Sequence, residues 1–283
     1  MYSRNINNES KIMKNNQITA KNDSLILYLK KIFHFRFILY TLTLREIKSF
    51  YSKTYLGIIW LVLQPLVALM IYTVFFYLIL GIETDGVPYP LFVFPGVMVW
   101  LHFIQIIHIT GSSLLNNQDI IHRISFPKLI LPLSKILYSL INVAISFILI
   151  LIISFFYGFH PNLKILFFPL IVFLNIITAF CIGIWLCALT IRYNDLQNII
   201  PFLSNFLIWI TPVFYPTSII PKKIEYILYY NPITTVLALY RWCLIDMPLP
   251  VSINFFSLVP VFLILISGIL YFKRIDNDIA DYI

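Results

Sequence analysis

The chain has 283 residues, of which 60% are hydrophobic and only 11% charged, with a formal net charge of +8. Soluble globular proteins carry roughly half apolar and a quarter charged residues, so a water-soluble domain packed around one core is excluded. A bilayer crossing uses about 20 apolar residues, and the length accommodates several crossings; no nucleic-acid partner is expected for the basic excess, which suits a membrane surface.

Residues 1–24, "MYSRNINNESKIMKNNQITAKNDS", hold no apolar h-region and do not form a secretory signal; a disordered cytoplasmic tail is expected there. Residues 25–55 are expected to form an amphipathic interfacial region. In "LREIKSFYSKTY" (44–55), a helical projection puts Leu44, Ile47, Phe50 and Tyr51 on one side and Arg45 and Lys48 on another. Arg45, Lys48 and Tyr51 are placed to meet anionic headgroups of the inner leaflet, although anchoring by the positive-inside rule alone explains the charges equally well.

Residues 56–272 divide into six expected spans: Leu56–Leu80, Tyr89–Ser112, Leu129–Tyr157, Ile165–Thr190, Ile199–Tyr215 and Ile253–Phe272. An N-terminus on the cytoplasmic side leaves only Lys164, Lys222, Lys223 and Arg241 of the basic residues outside, which orients both termini, including a second tail at 273–283, to the cytoplasm. Tyr226–Ile245 is long enough for a seventh crossing. Asn231-Pro232 breaks it, however, and Arg241 at the hydrocarbon centre costs roughly 2.5–3.5 kcal/mol or more. Residues 222–245 are therefore read as two re-entrant helices dipping into the outer leaflet, with a true span kinked at Pro232 as the alternative.

All twelve acidic residues fall outside these spans. Ion-coupled transporters use buried carboxylates as relays, so a secondary transporter is disfavoured, and no G-x-x-x-x-G-K phosphate loop occurs. His102 and His108 sit six residues apart without a buried acid and read as structural groups rather than catalysts. Cys181, Cys187 and Cys243 form no metal-ligand cluster. No catalytic residue, metal or cofactor is assigned.

Between the second and third spans, "NNQDIIHRISFPKLILPLS" carries a short expected helix over about 116–127. Ile120, Ile121 and Ile124 lie beside Asp119 and Arg123, and Phe126-Pro127 close it. This loop resembles the coupling segment of polysaccharide-export permeases of the ATP-binding-cassette type. The resemblance continues in "LREIKSFYSKTYLGIIWLVLQPL", "DGVPYPLFVFPGVMVW", "IRYNDLQNIIPF", "TPVFYP" and "NPITTVLALYRW", in order across about residues 40–275. Phe50 departs from the pattern, standing where the family often has a basic residue.

The resemblance implies an all-α, multi-pass inner-membrane subunit that forms a homodimer. It also implies pairing with two copies of a cytoplasmic ATPase, which itself binds ATP and Mg. The expected cargo is a lipid-linked glycan such as O-antigen, teichoic acid or capsule, and Asp119, Ile120, Ile121, Arg123, Ile124, Phe126 and Pro127 are expected to couple the two subunits. Phe214, Tyr215, Tyr229, Tyr230 and Tyr240 are candidates for the outer gate, since aromatic faces stack on sugar rings. A small-molecule exporter and a membrane-embedded enzyme acting on lipid-linked sugars remain the alternatives.

Overall fold

A computed structural model describes residues 24–53, 58–160, 162–276 and 279; the expected N-terminal tail and most of the C-terminal one lie outside them. Among the described residues the chain is helical throughout, without strands. The principal helices are α1 (Leu25–His34), α2 (Arg36–Lys53), α3 (Ile58–Tyr72), α4 (Tyr89–Gly111), α5 (Gln118–Arg123) and α6 (Ile130–Phe156). They continue as α7 (Phe168–Thr190), α8 (Leu196–Ile210), α9 (Lys222–Leu228), α10 (Pro232–Ile245) and α11 (Leu258–Ile275). Among the described residues, five stretches are long and apolar enough to cross a membrane: Ile59–Ile79, Tyr89–Gly111, Ile130–Phe156, Leu163–Thr190 and Phe255–Ile275.

The fifth expected span differs. It ends as a helix at Ile210, and Thr211 is already extended, because Pro212 and Pro216 follow and a residue before proline is driven out of the helical region. At 1.5 Å per residue the 15-residue α8 is about 22 Å long, short of a core of about 30 Å. The first span also departs from a plain helix: beyond Tyr72 it widens into a π-helix over Thr73–Ile79. The expected break near residue 231 is present. Asn231 caps α10, its side chain accepting from the Ile233 N–H at 3.2 Å, and Pro232 fills the first helical position, where a missing N–H costs nothing.

α4 is the hub, with α3, α6, α7, α8 and α10 all packed against it. Two glycines on its periphery show how close the helices come. A Cβ on Gly183 of α7 would lie 2.0 Å from the Thr110 hydroxyl of α4, and one on Gly268 of α11 would lie 2.6 Å from Ile184; small residues permit this approach where no hydrophobic force drives helices together. α3, by contrast, turns Ile59, Trp60, Met70 and Ile71 outward.

The non-helical stretch after α8 raises a question of satisfaction, since a backbone carbonyl buried in lipid or protein needs a donor. Side chains supply it. Arg241 of α10 donates from Nη2 to the carbonyls of Pro212 at 3.0 Å and Val213 at 2.9 Å, and from Nε to the Phe92 carbonyl of α4 at 3.2 Å. The Tyr89 hydroxyl donates to the Phe214 carbonyl at 2.7 Å. Three consecutive carbonyls of the broken backbone are thus held from α4 and α10. Arg241 is 6% exposed, with its guanidinium 3.7 Å from the Phe92 ring centroid, so the charge that argued against a crossing sits inside protein.

Replacing Arg241 by leucine leaves three buried acceptors without their donor, at about 1–3 kcal/mol each. The thermal midpoint of the detergent-solubilised Arg241→Leu chain is expected to fall by on the order of 10 °C; an unchanged midpoint would show that the turn at 211–216 is held by other means.

Candidate functional site

The segment expected to couple the chain to a partner is shorter as a helix than the sequence suggests. A 3-10 turn over Leu115–Asn117 leads into α5, and Ile124 is extended, so Ile124, Phe126 and Pro127 follow the helix rather than complete it. The segment's residues divide by exposure. Asp119, Arg123 and Ile124 are exposed, Ile120 is half-buried, and Ile121, Phe126 and Pro127 face inward. The exposed three form a small tip; the buried three root it in the bundle.

Around that root lies a charged cluster. Arg45 of α2 hydrogen-bonds the Asn117 side chain in the turn ahead of α5 and pairs with Glu46 at 3.3 Å. Glu46 pairs with Lys135, in the second turn of α6, at 2.7 Å. Burial works against the charged form of Glu46, but Lys135 and Arg45 outweigh it and hold the carboxyl below its usual range. The Asn117 amide in turn donates to the Ser113 carbonyl at 2.7 Å, below the end of α4. Two charged residues of one helix therefore connect α2, α5 and α6, which the sequence presents as separate pieces. Lys48 is exposed and makes no ion pair among the described residues. Tyr51 lies in α2, but its side chain lies outside the described residues.

A second link closes the same end. The Asp276 carboxylate, just past α11, accepts from the Lys128 backbone N–H at 2.8 Å. Tyr28 of α1, 5% exposed, lies beside it without a hydrogen bond of standard geometry. Burial pushes the Asp276 carboxyl up to about 6, against the opposing pull of the Lys128 N–H, the Lys128 charge, Tyr28 and Lys31.

The aromatic candidates for a gate do not converge. Phe214, Tyr229 and Tyr240 are 1–2% exposed, Phe214 packed among aromatic rings and Tyr229 on the wall of a separate cavity; Tyr215 is half-buried, and Tyr230 is 70% exposed. Phe214 stacks on Phe76 at 5.1 Å and contacts Tyr72 at 4.2 Å. Tyr240 meets Phe168 edge-on at 5.6 Å and lines a polar cavity of about 290 Å³ with Gln64, His102, Gln105 and Asn142.

His102 is hydrogen-bonded on both ring nitrogens, to the Ser139 hydroxyl at 3.1 Å and the Asn175 amide at 3.2 Å. That pattern fits a helix-to-helix tie between α4, α6 and α7. His108 is exposed.

What the structure does assemble is a groove of about 460 Å³ between α3, α4 and α8, with Tyr72, Trp100, Asn205 and Trp209 among its walls. These residues lie on three helices separated by up to 137 positions in the chain, and nothing in their local sequence marks them as neighbours. The groove is partly aromatic, and no charged residue lines it among the described residues. Such walls stack on flat apolar faces while the amide orients polar groups.

The profile of the ABC-2 type transporter family matches residues 38–245, from α2 to the end of α10. Among curated relatives, the O-antigen export system permease protein RfbA of Myxococcus xanthus is 26% identical over 245 residues, covering 86% of this chain and 93% of that protein. A second permease of that name, from Klebsiella pneumoniae, is 25% identical over 245 residues, covering 86% of this chain and 94% of its own. The polysialic acid transport protein KpsM of Escherichia coli is 26% identical over 236 residues, covering 82% of this chain and 92% of its own.

Asp276 supplies a test of the link between the ends of the chain. A carboxyl whose pKa rises from 3.8 to about 6 on folding binds its proton more tightly in the native state. Its favourable contribution is full below about pH 4 and is lost as pH rises through about 6, leaving a buried charge at neutral pH. Asp276→Asn keeps an acceptor for the Lys128 N–H without that charge. It is expected to raise the thermal midpoint by several degrees at pH 7.5 and to have no such advantage at pH 4.5; a lower midpoint than wild type at pH 7.5 would contradict the assignment.

Proposed function

The chain belongs to the ABC-2 type transporter family, and from that premise we propose that it is the membrane subunit of an exporter of lipid-linked polysaccharide. A separate cytoplasmic ATPase would drive it, in two copies on a homodimer of this chain. The observation that carries the reading is the family match over 38–245, extended by relatives named for O-antigen export and polysialic acid transport across almost their whole lengths. The aromatic groove between α3, α4 and α8 and the exposed tip at α5 fit that role.

In this proposal α8 makes the fifth of six crossings, α9 and α10 are re-entrant from the outer leaflet, and both termini are cytoplasmic. The chain is divided as a tail (1–24), an interfacial region (25–55), a permease domain (56–272) and a second tail (273–283). Asp119, Arg123 and Ile124 dock on the ATPase. Ile120, Ile121, Phe126 and Pro127 pass its movement inward, and Arg45 and Glu46 carry it to α2 and, through Lys135, to α6. A second copy placed against the outward face of α3 completes a channel from two grooves, in which Trp100, Trp209 and Tyr72 stack on sugar faces. Tyr215 and Tyr230, at the far end, meet the emerging glycan; Phe214, Tyr229 and Tyr240 shape the walls behind them. Lys48 and Tyr51 hold the interfacial helix at the headgroups. The subunit itself carries no catalytic step, and ATP and Mg belong to the partner.

The energy source separates this reading from a gradient-driven one. In vesicles holding this chain, its ATPase and a lipid-linked glycan, export is expected to continue when the proton gradient is collapsed at constant ATP. It is expected to stop when the ATP-site lysine of the ATPase is replaced. Transport lost on collapse alone, or retained by the lysine variant, would overturn the proposal.

A further inference from the structure

At the end of the bundle opposite α5 lies a second and larger cavity, of about 840 Å³. Every connection on that end contributes to it: Asp85 from the α3–α4 loop, Phe159 from the α6–α7 loop, Ser218 and Tyr226 from around α9, and Pro250 from the loop before α11. It is distinct from the aromatic groove. The turn at 211–216 stands between the two, with Val213 on the groove wall and the Val213 carbonyl held by Arg241, which faces the cavity.

The lining has a particular chemistry. Arg241, buried to 6% exposure, spends its Nε and Nη2 donors on three backbone carbonyls and makes no ion pair among the described residues. Its other terminal nitrogen takes no part in those bonds, and a guanidinium has five N–H donors in all.

The carboxylates are also only partly used. Asp85 accepts from the Ser218 hydroxyl at 3.2 Å on each oxygen, and Glu225 accepts from Ser252, while a carboxylate has about four acceptor sites. Asp246, on the same lining, is paired with Lys164. Tyr226, 54% exposed, presents an aromatic ring, and Phe159 adds an apolar face.

Donors and acceptors therefore share one partly aromatic wall. An anion would meet Asp85, Glu225 and Asp246 as like charges beside Lys222 and Arg241, and an apolar molecule would displace water from the guanidinium and the carboxylates without replacing the hydrogen bonds that their remaining sites make to it. A ring bearing many hydroxyls satisfies all of them: each hydroxyl donates to a carboxylate and accepts from the guanidinium, and the C–H face stacks on tyrosine. The volume lies in the range of small-molecule sites, roughly 300–1,000 Å³.

We propose that this cavity is a binding site for an uncharged saccharide unit, separate from the translocation groove. The inference rests on the polysaccharide-export reading. It adds a second place where the glycan is held, behind the turn that Arg241 fixes. A unit seated there touches the donor that secures Val213 and so bears on the wall of the groove from its far side.

The test uses the full chain with its ATPase in nanodiscs, carrying an environment-sensitive fluorophore on Val251→Cys, a rim position 98% exposed; Cys181, Cys187 and Cys243 are buried. The probes are neutral galactan, mannan and rhamnan tetrasaccharides, with inorganic phosphate as the charged comparison. At least one tetrasaccharide is expected to give a saturable response, and Tyr226→Ala and Asp85→Asn, each checked for an unchanged thermal midpoint, are expected to raise half-saturation at least tenfold.

No saturable response to any saccharide, a response unaltered in both variants, or a stronger response to phosphate would overturn the assignment. Wild-type vesicles that still export a lipid-linked glycan would confine that failure to the cavity; vesicles that export none would sink the underlying reading instead.

Discussion

A buried guanidinium that binds backbone carbonyls, rather than a carboxylate, holds one end of this molecule together. The bilayer forbids unsatisfied peptide groups, yet α8 stops at Ile210 and the chain continues through Thr211–Tyr215 outside any helix. Arg241 and Tyr89 make that stretch permissible by donating to Pro212, Val213 and Phe214. The same guanidinium reaches Phe92 in α4, near where Pro95 interrupts the ladder of the central helix, so the hub, the broken turn and α10 become one unit. The groove on one side of the turn and the saccharide cavity on the other both take their walls from it.

The opposite end is organised by ordinary ion pairs, and the contrast has a functional sense. Surface pairs are individually worth little, about 0–1 kcal/mol, but Glu46 and Lys135 are partly shielded, at 22% and 10% side-chain exposure. Their network links α2, the turn before α5 and α6. A set of modest, electrostatically matched contacts can move as a body and re-form, whereas a guanidinium locked to three carbonyls cannot shift without leaving them bare. Motion imposed at α5 is thus expected to reach the rest of the bundle through α2 and α6, with the Arg241 end as the fixed reference.

The sequence carried much of this architecture. Long apolar runs located α3, α4, α6, α7 and α11, because length and hydropathy suffice when the solvent is lipid. The Asn231-Pro232 start of α10 was legible from capping chemistry. The early end of α8 was signalled by Pro212 and Pro216, but the apolar run across Ile199–Tyr215 masked it. The role of Arg241 was not legible: in sequence it reads as an expensive charge, and its partners Phe92 and Val213 are 149 and 28 residues away. The groove residues were missed for the same reason. Aromatic content pointed towards sugars, yet nothing in the local sequence separates Phe214, packed against Phe76 and Tyr72, from Trp100 and Trp209, which wall the groove. The inward orientation of Ile121 was hidden because a six-residue helix is too short to show a face by periodicity alone.

The proposed coupling tip at Arg123 and the cavity bordered by Lys222 and Pro250 are expected to lie on opposite sides of one membrane. Impermeant thiol labelling of single-cysteine substitutions in intact cells tests this directly. Lys222→Cys and Pro250→Cys are expected to react from outside, and Arg123→Cys only after the membrane is opened. Reaction of Lys222→Cys and Pro250→Cys on different sides, or reaction of Arg123→Cys in sealed cells, would contradict the account.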